Sequence, residues 1–238
     1  MKLIHFEEID STNTFLKNNY QNYQHLTFVS ADNQTAGRGR EDKRWFSEKG
    51  KNLLFSVLIK DDKLIENYKA ISIICGYSVL EVLKDYGLEK ISIKWPNDVY
   101  ADGKKICGVL LEAVSRKKIE CLIAGIGINV NQREFSKECI VTPTSLRNQS
   151  GKAVDLNKFK RDIYSKLISN FRLVKQDYDF YKHVQQYDYL KDKEVYALVS
   201  NEKKLVKVTG INSDYSLGII AEDKKADLET GEISFSLL

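Results

Sequence analysis

Cysteine, histidine and proline are all scarce in this sequence. Cys75, Cys107, Cys121 and Cys139 stand far apart with no C-x-x-C pair, and His5, His25 and His183 are scattered. A structural zinc site is thereby argued against, and no metal-ligating residue is assigned. Cys75 and Cys121 lie inside apolar runs, where a thiol behaves as a small hydrophobe. No run of about 18 apolar residues is present, which argues against a transmembrane helix. The opening Met-Lys-Leu-Ile-His-Phe-Glu-Glu lacks the apolar core of a signal peptide, so a cytoplasmic protein with no membrane partner is expected. Charge of one sign is also missing: 37 Lys and Arg face 33 Asp and Glu, short of the concentrated basicity of a dedicated nucleic-acid binder. What is present is 238 residues at 42% apolar and 29% charged. That is a globular composition, with length for one large domain or for a domain plus a small appendage.

Local patterns predict an α+β chain. Asp10-Ser-Thr-Asn13 offers consecutive N-cap side chains ahead of a short helix. Phe28 to Ala31 reads as a strand, and Leu53 to Ile59 as another. Between them Asp32 to Asn52 is a polar loop of unusual length, the kind that is commonly functional. Apolar residues at helical spacing from Tyr68 to Tyr86, then Gly87 as a C′ residue, mark a mostly buried helix. Ile91, Ile93 and Trp95 alternate as a half-buried strand that Pro96 ends. Val109 to Val114 and Ile119 to Val130, joined by Ser-Arg-Lys-Lys, read as adjacent antiparallel strands. Helices are expected from Asp155 and over Tyr178 to Tyr187. After Lys191 come short strands at Val195–Val199, Leu205–Val208, Leu217–Ala221 and Ile233–Leu237, which suggest a small β-barrel. The expected organisation is a domain over residues 1–190 on a mixed, mostly antiparallel sheet, then an all-β unit over 191–238.

Three segments carry chemistry. In Ala36-Gly-Arg-Gly-Arg40 the glycines let backbone N–H groups approach an anion and the arginines add fixed charge, which suits a phosphate or carboxylate. No P-loop spacing is present, and Arg-Gly alternation also occurs in RNA-binding tails. Trp45 and Phe46 follow closely and can hold a ring or pin the loop. Lys94-Trp-Pro-Asn-Asp98 places Asn97 and Asp98 in a turn after a strand, and Lys105 stands ahead of the next strand, where it can face the same mouth as Asp98. Gly125-Ile-Gly-Ile-Asn-Val-Asn131 lacks the third glycine and following helix of a dinucleotide fingerprint. Its glycines instead admit a ligand or another backbone, with Asn129 offering donor and acceptor to a flat heterocycle.

In order along the chain, Ser11-Thr-Asn13, Gln34 with Gly37-Arg-Gly-Arg40, Gly50-Lys-Asn-Leu53, Trp95-Pro-Asn-Asp98, Lys105 with Gly108, Gly127-Ile-Asn129 and Thr144-Ser-Leu146 resemble the catalytic domain of the biotin protein ligases. The resemblance spans Ile9 to about Leu146. Thr209-Gly-Ile211 and Gly231-Glu-Ile-Ser234 resemble, less specifically, that family's small SH3-like domain. The resemblance implies a class II aminoacyl-tRNA-synthetase-like catalytic fold and a two-step reaction. Biotin and ATP, with Mg²⁺, give biotinyl-5′-AMP. The biotinyl group then passes to a lysine of a carrier protein, the biotin carboxyl carrier domain of acetyl-CoA carboxylase or of another biotin-dependent enzyme.

The same resemblance assigns biotin contacts to Ser11, Thr12, Asn13, Gln34, Gly37, Arg38, Gly39, Arg40, Lys105 and Gly108. It assigns ATP contacts to Arg38, Arg40, Trp45, Asn97, Lys105 and Asn129. Lys105, Arg40 and Asp98 become the catalytic candidates, Asp98 to orient or deprotonate the carrier lysine. Clustered cations lower the repulsion between a carboxylate and a polyphosphate, and a carboxylate suits an amine that must lose its proton. DNA-binding repressors of the family carry an N-terminal domain, for which ten residues ahead of Ser11 leave no room, so no DNA partner is expected. An exposed strand beside the ligand loop could pair with a second copy, giving a homodimer, or with the carrier. Glu41 and Asp42 depart from the family pattern, which continues with glycine and basic residues. Two readings compete: a lipoate or octanoate ligase or transferase of related fold, and a non-catalytic nucleic-acid module in which Trp45 stacks on a base.

Overall fold

The structure, a computed structural model, describes residues 1–40, 43–136, 139, 141–199, 202–229 and 236–237. Its strands are β1 (Lys2–Ile9), β2 (Thr27–Gln34), β3 (Leu53–Ile59), β4 (Ile91–Lys94), β5 (Asp98–Ala101), β6 (Lys104–Ser115), β7 (Ile119–Ile128), β8 (Glu194–Val199), β9 (Glu202–Ile211), β10 (Leu217–Ala221), β11 (Lys224–Leu228) and β12 (Ser236–Leu237). Its α-helices are α1 (Thr12–Asn19), α2 (Asp62–Glu66), α3 (Tyr68–Asp85), α4 (Leu146–Ser150), α5 (Leu156–Val174) and α6 (Tyr181–Val184). The first seven strands form one sheet in the order β1-β2-β3-β7-β6-β5-β4, parallel between β1 and β2 and antiparallel elsewhere. The mixed, mostly antiparallel α+β architecture is as the sequence implies. No helix among the described residues is long and apolar enough to cross a membrane.

Both faces of this sheet are covered, so β3 is buried along its whole length. Side chains alternate between faces. Phe28, Val57, Ala124 and Ile126 pack toward α3 and α5, in the large core. Val29, Leu58 and Ile123 point the other way, onto Leu16 of α1. α3 is apolar nearly all round and ends as expected, with Gly87 at φ +86 and the Leu88 N–H donating to the Leu83 carbonyl. α5 turns Phe159, Ile163, Leu167 and Phe171 inward, and Asp155 caps its first turn.

A second, antiparallel sheet follows in the order β11-β10-β9-β8-β12 and fits a small SH3-like unit. It is joined to the first sheet by specific bonds. The Tyr189 N–H donates to the Ile93 carbonyl at 2.8 Å, and the indole Nε1 of Trp95 donates to the Tyr215 carbonyl at 2.8 Å. Asp188, at the junction, accepts backbone N–H groups of Leu190 and Ile211, while burial holds its carboxyl above the usual range.

Several expectations need correction. β1 has no counterpart in the sequence reading, because as an edge strand it leaves Leu3, Glu7 and Glu8 exposed and shows little apolar alternation. Asp98 is not in a turn: it opens β5 and pairs across from Lys94, while Trp95 to Asn97 make the turn. β6 starts at Lys104, five residues ahead of the expected Val109, so Lys105 is inside the strand. The helix expected over Tyr178 to Tyr187 shrinks to α6 plus a 3₁₀ turn. α2, α4 and β11 were not anticipated; β11 is exposed at four of its five positions. Glu41, Asp42 and Gly231-Glu-Ile-Ser234 lie outside the described residues, as does most of the last expected strand.

Candidate active site

A cleft of about 450 Å³ opens on the α1 face of the large sheet. Its floor is set by the alternation of β7. Ile123 lies under Leu16, and the next residues on that face are Gly125, Gly127 and, just beyond the strand, Asn129. Neither glycine leaves space for a side chain. A Cβ on Gly125 would meet Asn13 Oδ1 at 2.3 Å, and one on Gly127 would meet the Trp45 indole at 2.6 to 2.9 Å. Gly108, paired with Gly127 across from β6, would meet the same indole at 3.0 Å. The glycines therefore admit Asn13 and Trp45 to the sheet surface, a more specific role than the sequence suggested.

Six side chains at the α1 end, Ser11, Thr12, Asn13 and Ser56 buried and Gln34 and Glu112 half-buried, form a polar cluster. Ser11 caps α1, accepting from the Thr14 N–H at 3.4 Å. Gln34 Oε1, at the end of β2, accepts the Thr12 N–H at 2.8 Å. The Thr12 hydroxyl lies 2.6 Å from that of Ser56, and Ser56 donates to Asn13 Oδ1 at 2.5 Å. Asn13 Nδ2 donates to Glu112 at 2.9 Å, and Glu112 also meets Arg38 at 3.3 Å and Lys17 at 3.2 Å. Burial pushes the Glu112 carboxyl up, but the Asn13 hydrogen bond and the Arg38 and Lys17 charges outweigh it and hold the group below the usual range.

The glycine-arginine loop folds as a tongue over the cleft. Gly39 donates to the Lys43 carbonyl at 2.6 Å, and Trp45 donates to the Gly37 carbonyl at 3.0 Å. Arg38, Gly39, Arg40 and Trp45 line the cleft; Gly37 does not, being buried behind the tongue. At the other end, Asn97 is locked to β6 by two bonds of 2.8 Å with the Val109 backbone. Lys105 Nζ lies 2.7 Å from Asp98 Oδ1 and 5.6 Å from the Trp45 ring centroid. Asn129 gives one amide N–H to the Thr144 carbonyl at 3.0 Å, while its Oδ1 is buried with no partner among the described residues. Trp45 Nε1 is buried and unpartnered in the same sense.

Thirteen of the fourteen residues assigned from sequence thus line one cleft. The sequence reading missed others. Lys94 lines it, and burial pushes its ammonium down, against the opposing pull of Asp98. Phe135, Val141 and Pro143 close one wall. Ser56 and Glu112 support the network from behind, each signalled only as the lone polar residue in an apolar run, Leu53–Ile59 and Val109–Val114. Charge is lopsided: among the described residues Arg38, Arg40, Lys43, Arg44, Lys94 and Lys105 line the cleft against the single carboxylate of Asp98. Such a site attracts anions.

The spacing sets the size of the ligand. Asn13 sits over Gly125, four residues from Asn129, or about 13 Å at strand rise. Lys105 Nζ falls between them, 3.3 Å from where a Gly108 Cβ would lie. The cleft can hold an elongated molecule with a polar ring near Asn13, an anionic centre at Lys105 and a heterocycle near Asn129.

The family model described as biotin/lipoate A/B protein ligase matches residues 5–129. Among curated proteins, the chain is 34% identical to the bifunctional ligase/repressor BirA of Bacillus subtilis over 132 residues, 54% of this chain and 41% of that one. It is 27% identical over 148 residues to the biotin–acetyl-CoA-carboxylase ligase of Paracoccus denitrificans, 56% of this chain and 57% of that one. The chain thus spans less than two thirds of these relatives. Among solved structures, the biotin protein ligase of Aquifex aeolicus in complex with biotin and ATP aligns with a TM-score of 0.88 and 33% identity, covering 100% of this chain and 99% of that one.

Proposed function

Because the chain belongs to the biotin/lipoate A/B protein ligase family, we propose that it activates biotin with ATP to biotinyl-5′-AMP and passes the biotinyl group to a carrier-protein lysine. The observation that carries this reading is the linear order on the cleft floor: polar network, Lys105 ammonium, Asn129, spread over about 13 Å. The network offers donors and acceptors to the ureido ring. Asn129 Oδ1, buried with no partner among the described residues, suits the amino group of adenine. Of the neighbours, the Aquifex protein is described with biotin and ATP bound.

In the first step a biotin carboxylate oxygen bonds to the α-phosphorus, and the bond to the β-phosphate bridging oxygen breaks, releasing pyrophosphate. Both reactants are anions, so the basic lining lowers their repulsion, and Lys105 and Arg40 stabilise charge that grows on the phosphoryl oxygens. Among the described residues no group of three or more His, Cys, Asp or Glu is placed to hold a metal ion. Mg²⁺ is therefore counted with the substrate, carried on the ATP phosphates. In the second step the carrier amine attacks the acyl carbon and AMP leaves. Asp98, the only carboxylate lining the cleft among the described residues, is the acceptor for the amine proton. Its pairing with Lys105 at 2.7 Å keeps it beside the reacting carbon. The carrier we infer is a biotin carboxyl carrier domain.

The test is incubation with ATP, Mg²⁺ and biotin, lipoate or octanoate, reading pyrophosphate release and carrier labelling. A biotin-dependent signal is expected; its absence, or a stronger signal with lipoate or octanoate, overturns the reading. Lys105→Ala is expected to slow adenylate formation by at least about a hundredfold, the scale of losing a transition-state charge contact. Wild-type rates in that variant would remove Lys105 from the mechanism.

A further inference from the structure

We propose that Glu112 is a positioning residue that fixes the direction of a hydrogen-bond relay, Thr12 to Ser56 to Asn13 to Glu112, and thereby makes the Thr12 hydroxyl an acceptor toward the ligand. This rests on the cleft being the biotin site. The argument is one of proton counting. An ionised carboxylate can only accept, and the Leu110 carbonyl, 3.3 Å from Asn13 Nδ2, can only accept as well. The amide of Asn13 must therefore turn its NH₂ to Glu112 and its oxygen to Ser56. Ser56 has one hydroxyl proton and gives it to Asn13 Oδ1. Across the 2.6 Å contact with Thr12, Ser56 can then only accept, so the proton there comes from Thr12.

Thr12 Oγ also lies 3.0 Å from Gln34 Oε1, but its single proton is already committed to Ser56. Gln34 Oε1 keeps the Thr12 backbone N–H instead, at 2.8 Å. The outcome is a defined pattern at the cleft surface: Thr12 presents lone pairs and Gln34 presents its NH₂. A cyclic urea carries N–H donors on either side of a carbonyl acceptor and matches that pattern. Ser56 is fully buried and Glu112 does not line the cleft, so both act through Thr12 and Asn13 and neither touches the ligand. Arg38 and Lys17 face the Glu112 carboxylate from the tongue and from α1, and they keep it ionised and hence acceptor-only.

The experiment measures KM for biotin and for ATP separately in three variants of the full chain. Glu112→Met removes the charged acceptor, leaving Asn13 Nδ2 only the Leu110 carbonyl at 3.3 Å, and is expected to raise the biotin KM roughly tenfold, with the ATP KM changed less than about twofold. Glu112→Gln, whose amide oxygen can still take the Asn13 N–H, recovers most of that loss. Ser56→Ala breaks the relay in the middle without touching a charge, gives a rise of similar size, and adds little on top of Glu112→Met. An unchanged biotin KM in Glu112→Met, or a Gln variant as impaired as the Met variant, overturns the relay. Parallel rises in both KM values do so too. Should Glu112→Met fail to fold, Ser56→Ala decides alone. A wild-type protein without biotin-dependent turnover would overturn the functional reading, which is a separate result.

Discussion

Replacing Gly127 by alanine tests how the cleft floor is built. The added methyl would lie 2.6 to 2.9 Å from three atoms of the Trp45 indole, well inside carbon–carbon contact of about 3.5–4.0 Å. One of the two must move. Gly127 is held by ladders on both sides, to Leu54 of β3 and to Gly108 of β6, whereas Trp45 stands on a loop and is only half-buried. The indole yields, by about 1 Å. A shift of that size forfeits roughly a quarter to a half of its contact energy with the floor. It also disturbs the Lys105 contact at 5.6 Å, worth about 0.5–1 kcal/mol. Nucleotide binding that depends on this ring is expected to weaken by about 1–2 kcal/mol, roughly five- to thirtyfold. Fold stability should change by less than about 1 kcal/mol, since the large core lies on the other face and is untouched. The assay is tryptophan emission with an ATP titration. The chain has two tryptophans, and Trp95 is 1% exposed, so a red shift reports on Trp45. Unchanged emission together with unchanged ATP affinity would refute the account. So would a stability loss above about 3 kcal/mol, which would mean that the sheet had given way.

Two further expectations are open to measurement. The folded Glu112 carboxyl lies below its ordinary range, so it contributes stability that is present above about pH 4.3 and is lost as pH falls through the lower folded value. Glu112→Gln removes that share, and melting curves from pH 7 to pH 3 should show a shallower acid limb; parallel curves would refute it. Among the thiols, burial pushes Cys75 and Cys107 far up and Cys121 up to about 11, while Cys139 is half-buried on the cleft wall. A thiol reagent at pH 8 should modify Cys139 first, and biotin with ATP should slow it. A second thiol reacting as fast, or no protection by ligand, would contradict the placement.

What the sequence made legible was the part whose signal is local. Arg38, Gly39, Asp98, Lys105 and Asn129 stand in short polar or glycine-containing runs, and turn and charge chemistry act over a few residues. Ser56 and Glu112 were invisible as functional groups, because their meaning depends on strand register: Ser56 lies beside Gly125, and Gly125 leaves room for Asn13. No spacing along the chain announces that. Asp98, the first residue of β5, reads as a turn residue because Asn-Asp after proline favours turns, while pairing with both β4 and β6 overrides that preference. β1 escaped notice because an edge strand buries too little to write a pattern.

The Trp95 to Tyr215 bond bears on how this chain can be cut or recombined. The indole is 1% exposed, and its N–H is satisfied by a carbonyl 120 positions further on. A fragment ending ahead of β8 would take that carbonyl away from the ring, next to Pro96, Asn97 and Asp98. It would then trade a fixed carbonyl for water at the step just before the residue assigned to take the amine proton. A chimera bearing a foreign small sheet therefore has a definite requirement: one backbone oxygen at the place Tyr215 now holds.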